Sequence, residues 1–243
     1  MTAGRPIADQ LSATGDVLFR WRSYMPLLLI PLFALSVNDN RPPMRFAWQL
    51  ICFTVAVFGL VCRAFVVGTA PAGTSARGTT RPTADMLMTT GAYSVVRHPL
   101  YLANTVMWLG CAMLSGTWFL PVIVALLSFV YHERIAAREE AFLNGAFGDT
   151  FRAWTGAVPA MIPNISGYRP SGVPFQARKV FMQESHGLFA LATAFLALCT
   201  LEGSLRRHEL HVDPRWLSVF LVTAVPFVVV IVSKSAARRT AKI

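Results

Sequence analysis

Six apolar stretches alternate with polar ones along this chain: Tyr24–Val37, Ala47–Val67, Tyr101–Trp118, Phe119–Tyr131, Gly187–Leu201 and Trp216–Ser233. Each reads as a helix. A bilayer core of ~30 Å needs about 20 helical residues, so the first stretch is short and is read as extending backward past Arg20 and Arg22, whose stems can lie along apolar surface. Ala34-Leu35-Ser36 has the look of a signal-peptide cleavage site. The long polar leader and the interruptions at Pro26 and Pro31 argue instead for a retained span. The third and fourth stretches join through Ser115-Gly116-Thr117, which predicts a tight helical hairpin. The fourth reaches only ~20 Å as a helix, so the hairpin is expected to cross obliquely. Pro226 is a kink of the kind membrane helices tolerate.

The polar stretches carry the rest of the organisation. Gly68–Thr90, rich in Gly, Thr, Ala and Pro, reads as a loop. His132–Ser185 begins as a helix continuing from the fourth span, with Glu133, Arg134, Arg138, Glu139 and Glu140, and ends in Val158-Pro159…Ile162-Pro163, an extended, helix-stopping segment. Pro174–Glu184 sets Phe175, Val180, Phe181 and Met182 against Arg178 and Lys179, which predicts a short helix lying in the membrane interface. Three segments result: a two-span region and loop over 1–85, a core over 86–163, and an interfacial segment with two further spans over 164–243.

Composition turns these helices into a membrane protein. Of 243 residues, 54% are hydrophobic and 14% charged, against ~25% charged in soluble domains. The expected fold is an all-α integral membrane protein with about six transmembrane helices. The net charge of +10 falls in loops. With the N-terminus in the cytoplasm, 17 Lys and Arg lie inside and five (Arg41, Arg45, Arg206, Arg207, Arg215) outside. That bias predicts a multi-pass protein with both termini cytoplasmic, and no basic run with interleaved aromatics points to nucleic acid. Cys52, Cys62, Cys111 and Cys199 all sit in apolar stretches without a CxxC pair, so they read as small buried hydrophobes. His208 and His211 lack a third ligand, and no metal site is expected.

Two polar clusters stand out. In Gly91-Ala-Tyr93-Ser-Val-Val-Arg97-His98-Pro99-Leu-Tyr101, Pro99 suits the first position of a helix. The helix N-terminus, the Arg97 fork and the His98 ring make an anion-binding corner at the membrane surface. The bland alternative is a basic anchor with an interfacial tyrosine. In the second cluster, Glu139 and Glu140 share a helix face with Leu143, and His132 and Ala136 continue the stripe. Those carboxylates can bind a ligand amine or ribose hydroxyls, or pair with Arg97 as structure.

Taken together, Gly-x-Tyr-x-x-x-Arg-His-Pro-x-Tyr, then Glu-Glu-x-x-Leu-x-x-x-Phe-Gly, then Val-Pro and a later proline resemble the isoprenylcysteine carboxyl methyltransferase and phospholipid methyltransferase superfamily, over about Met86 to Pro163. The resemblance implies an integral membrane methyltransferase using S-adenosylmethionine in a cytoplasmic pocket. It implies Gly91, Tyr93, Arg97, His98, Pro99, Tyr101, Glu139 and Glu140 as cofactor-binding residues, with Arg97, His98 and Glu140 in catalytic roles. A lipid or lipidated acceptor enters from the membrane. Two aromatics after Phe-Gly are usually tyrosines in that family and here are Phe151 and Trp154. An amine or hydroxyl acceptor would need a base, for which His98, Glu139, Glu140 and His186 are candidates. The alternative is an NADPH-dependent membrane lipid reductase. Sterol reductases look similar here but read Arg-His-x-Asn-Tyr, and this chain has Leu100 at the asparagine position.

Overall fold

The computed structural model describes residues 18, 20–21, 24–37, 44–71 and 86–240. Six α-helices carry them. A 3-10 turn, Met25–Leu28, leads into α1 (Leu29–Ser36). Then follow α2 (Phe46–Thr69), α3 (Pro99–Met113), α4 (Phe119–Ala157), α5 (Ala177–Arg207) and α6 (Pro214–Thr240). No strand occurs among the described residues; one isolated bridge pairs Gly91 with Arg169. Helices α2, α4, α5 and α6 are long and apolar enough to cross a membrane. The 15 residues of α3 reach only ~22 Å, and α1 is shorter still. Of the backward extension of the first span, residues 18, 20 and 21 are described and helical, while Arg22 and most of the Gly68–Thr90 loop lie outside the described residues.

Small residues set the closest helix contact. A Cβ at Gly59 of α2 would lie 2.7 Å from the Ala103 carbonyl of α3, and one at Gly110 would lie 2.6 Å from Ala56 Cβ. Helices approach this way in lipid, where packing rather than water expulsion drives association. Helix α4 packs on α3, α5 on α2, and α6 on α5. Phe33, Cys52, Cys111, Leu120, Leu191, Phe195 and Trp216 meet in one buried core. Leu126, Val222, Val225 and Val232 point outward and are exposed, as lipid-facing positions should be.

The hairpin forms where Ser115-Gly116-Thr117 predicts it. Gly116 has φ +63°, the left-handed region that favours glycine. The Ser115 and Thr117 hydroxyls lie 2.8 Å apart. The third span ends earlier than Trp118, at Met113, because this turn takes up Leu114–Trp118. Helix α4 then runs without interruption from the apolar stretch into the polar one, carrying Glu139 and Glu140. It breaks locally at Gly148 (φ +51°) and stops at the extended Val158.

Pro174–Glu184 is not a separate interfacial helix. Residues from Ala177 onward form the first turns of α5. Ala, Arg, Lys, Met, Gln and Glu are good helix formers, and nothing between Gln183 and Gly187 breaks them. The segment docks on protein: the Gln176 N–H donates to the Gly68 carbonyl at 2.9 Å, Lys179 Nζ donates to the Ala70 carbonyl, and Phe175 lies on Gly68.

Candidate active site

The loop before α3 is held by main chain. The Gly91 N–H donates to the Arg169 carbonyl at 2.7 Å, the Asn164 N–H to the Val95 carbonyl at 2.9 Å, and the Arg97 N–H to the Pro159 carbonyl at 2.9 Å. Gly91 has φ +62° and a Cβ there would press on Ser171. Its carbonyl accepts the Ser94 hydroxyl, whose oxygen in turn accepts the Arg169 N–H. Gly91 therefore shapes the loop through its backbone.

His98 caps α3 and Pro99 is its first residue. This turn aims three side chains at α4. Arg97 Nη1 donates to Glu140 Oε2 at 2.9 Å, His98 Nε2 lies 2.8 Å from Glu140 Oε1, and the Tyr101 hydroxyl donates to Glu139 Oε1 at 2.6 Å. The two sequence clusters, some forty residues apart, are thus one site. The anion-binding corner is filled from within, because Glu140 takes both Arg97 and His98.

Glu139 is different. Its partners among the described residues are the neutral Tyr101 hydroxyl and, at 3.9 Å, His98 Nδ1. Its side chain is 27% exposed. Arg97 Nε is buried with no hydrogen-bond partner. The site thus holds an uncompensated carboxylate and a spare guanidinium donor. Arg97 also borders an open groove of about 640 Å³ with Thr155, Pro159, Ile162 and Asn164, within the size range of small-molecule sites.

Aromatic rings brace the helix start. Tyr101 stacks between His98 (5.5 Å) and His132 (4.9 Å), and His132 also stacks on Trp108 (5.5 Å). Thr105 gives its hydroxyl proton to the Tyr101 carbonyl, so its 3.2 Å contact with His132 requires the proton on His132 Nδ1. Tyr93 packs with Leu87, Leu143 and Phe147 over Phe151, Trp154 and Val158, and its carbonyl accepts Trp154 Nε1 at 3.1 Å. Phe151 and Trp154 therefore support the loop through packing and through the indole N–H. Burial pushes the Tyr93 hydroxyl up to about 12; Glu139 adds to the rise and Arg63 opposes it. Tyr93 stays a hydrogen-bond donor at any working pH.

Arg63 belongs to neither sequence cluster. It donates from Nε to Glu184 Oε2 at 3.0 Å, from Nη2 to Glu184 Oε1 at 3.3 Å, and from Nη1 to Asn104 Oδ1. A charged residue inside each of two apolar helices was the available signal. His186 stacks edge-on against Phe227 at 5.2 Å, on the α5–α6 contact.

The phospholipid methyltransferase family matches residues 55–150. The chain is 25% identical to a protein-S-isoprenylcysteine O-methyltransferase of Schizosaccharomyces pombe, over 65% of this chain and 74% of that one. It is 32% identical to the cobalt-zinc-cadmium resistance protein CzcN of Cupriavidus metallidurans, over 35% of this chain and 39% of the relative. It is also 32% identical to the nickel-cobalt-cadmium resistance protein NccN of Alcaligenes xylosoxydans xylosoxydans, over 34% and 38%. No solved structure matches. The matched residues hold both charged clusters and the hairpin between them, and over that stretch the chain is similar to the isoprenylcysteine carboxyl and phospholipid methyltransferases.

Proposed function

We propose that this protein transfers a methyl group from S-adenosylmethionine to a lipid or lipidated acceptor at the cytoplasmic face of a membrane. The observation that carries this reading is the charge pattern at the start of α3. Glu139 is a carboxylate without a close cation, and Arg97 Nε is a buried donor without an acceptor. A ligand with a cationic centre, an amine and a carboxylate complements both. S-adenosylmethionine is such a molecule, and these residues fit it: Glu139 would hold its positive groups and Arg97 its carboxylate.

When bound, the cofactor supplies a methyl carbon on a sulfonium, and the acceptor atom bonds to that carbon as the carbon–sulfur bond breaks and its electron pair returns to sulfur. The protein's part is placement and exclusion of water. Glu140 fixes the Arg97 and His98 side chains, and the Tyr101 hydroxyl fixes Glu139. A carboxylate acceptor has no proton to lose. For an amine acceptor, His98 Nδ1 and Glu139 are the groups at hand to take one. Similarity to the S. pombe protein-S-isoprenylcysteine O-methyltransferase supports a carboxylate acceptor. The excess of Lys and Arg on one side supports the cytoplasmic orientation.

The reductase alternative fits less well. Arg97 and Arg63 are each neutralised by a glutamate, and Glu139 leaves a surplus negative charge. A phosphate-rich dinucleotide would meet the wrong sign.

Radiolabelled methyl transfer into membrane lipid extracts tests the proposal, and mild base separates labile esters from stable N-methyl products. Arg97→Ala and His98→Ala should each weaken S-adenosylhomocysteine binding about tenfold or more, the equivalent of ~1.4 kcal/mol. Unchanged affinity in both variants would remove the argument.

A further inference from the structure

A second polar cluster lies deeper than the first and no part of the cofactor reading uses it. Arg63 sits six residues inside the end of α2, about 9 Å in from that end. Glu184 of α5 grips it bidentately and is buried, with 6% side-chain exposure, while Arg63 keeps 22%. Asn104 of α3 takes a third N–H. The packing around the pair is close: a Cβ on Gly187 would lie 2.9 Å from Leu60 Cδ1 and 3.3 Å from Glu184 Oε2.

A lock between helices would not need these residues. Burying two charges costs more than well-packed apolar side chains of similar volume, and ionisable groups within membrane spans mark functional positions. The geometry also leaves something over. A guanidinium has five N–H donors; three are used, so one remains on each terminal nitrogen. Two such donors suit the paired oxygens of a carboxylate or phosphate. Tyr93, whose ring is held by Phe151 and Trp154, feels the charges of both Arg63 and Glu139.

We propose that Arg63, held rigid by Glu184 and Asn104, is the acceptor-binding residue and receives the acidic group of an amphiphilic substrate, a carboxylate or a phosphate. The depth of Arg63 within an apolar helix suits a headgroup arriving from the lipid rather than a soluble anion. This inference rests on the methyltransferase reading for its meaning, but anion binding by Arg63 can be measured without turnover.

The test uses full-length protein in detergent micelles and two probe pairs: an S-prenylated N-acetylcysteine with its methyl ester, and phosphatidic acid with diacylglycerol. Wild-type protein should bind one acidic probe at least tenfold more tightly than its uncharged counterpart, and the pair that discriminates tells carboxylate from phosphate. Arg63→Gln should abolish the discrimination and leave S-adenosylhomocysteine affinity within twofold; Arg63→Lys should restore part of it. Glu184→Gln separates this role from a structural one. With the competing carboxylate gone, acid binding should hold or tighten, whereas a mere lock predicts loss in step with Arg63→Gln. The proposal is overturned if wild-type protein treats acid and neutral probes alike, or if Arg63→Gln and Glu184→Gln weaken acid and cofactor binding in parallel. Failure of wild-type protein to bind S-adenosylhomocysteine would sink the cofactor reading, while the acid-against-neutral comparison would still decide Arg63.

Discussion

The two polar ends of the helical bundle are built on opposite principles. At one end, Trp216 donates to Gln49 at 2.8 Å and Trp48 to the Met113 carbonyl at 3.0 Å. The charges there pair with near neighbours: Arg206 with Glu202 four residues away, Arg215 with Asp213 two residues away. At the other end, partners come from 38 to 121 residues away: Tyr101 with Glu139, His98 and Arg97 with Glu140, Arg63 with Glu184. Local pairs cost little loop entropy and leave Glu202, Arg206, Asp213 and Arg215 each with an opposite charge. The long-range network pays that entropy and still leaves Glu139 and Arg97 Nε wanting. Stability alone does not select such an arrangement, whereas a site awaiting a charged ligand does.

That contrast can be broken in four places. The largest effect is expected from Glu140→Ala, which strands Arg97 and His98 together. Methyl transfer should fall at least about 100-fold in kcat/KM, or ~2.7 kcal/mol, with helix content by circular dichroism unchanged; retained activity would make the glutamate dispensable. Tyr101→Phe removes the donor to Glu139 and should cost about tenfold in cofactor affinity, ~1.4 kcal/mol. At the opposite end, Trp216→Phe strands the buried Gln49 amide. Stability should drop by about 1–2 kcal/mol in thermal unfolding, while KM for cofactor and acceptor stays put. A changed KM would show the two ends to be coupled. The smallest effect concerns Asp213. Burial raises its carboxyl, but the Arg215 hydrogen bonds and charge outweigh that and hold it below the ordinary 3.8. A depressed carboxylate stabilises the fold above its unfolded pKa and loses that contribution as pH falls through the folded value. Arg215 is more than half exposed, so solvent screens the pair to under about 1 kcal/mol. Asp213→Asn should lower the melting temperature slightly at pH 7, by the equivalent of under about 1 kcal/mol, and flatten the decline below pH 4.

What could be read from the sequence was whatever a short window contains. Pro99 announces a helix start, Ser115-Gly116-Thr117 a hairpin, and Glu139-Glu140 a charged face. The unbroken helix from Ala177 was misread because Arg178, Lys179 and Glu184 interrupt the apolar pattern, although they suit a helix. Arg63 and Glu184 were each visible as odd charges, but nothing local says that residues 121 apart meet. The reversal at the anion corner has the same origin. Arg97 and His98 were legible as donors, and only tertiary packing decides that Glu140 takes them both.

The main-chain bonds from Pro159, Asn164 and Arg169 to the loop before α3 have an evolutionary consequence. The phospholipid methyltransferase match covers residues 55–150, yet the wall that holds Gly91 to Arg97 continues to Arg169. Peptide groups make that wall, and every residue type except proline supplies both the carbonyl and the N–H it uses. Substitutions can therefore accumulate along 159–169 without displacing the site. A comparison of side chains will see divergence there, where the architecture itself is under constraint.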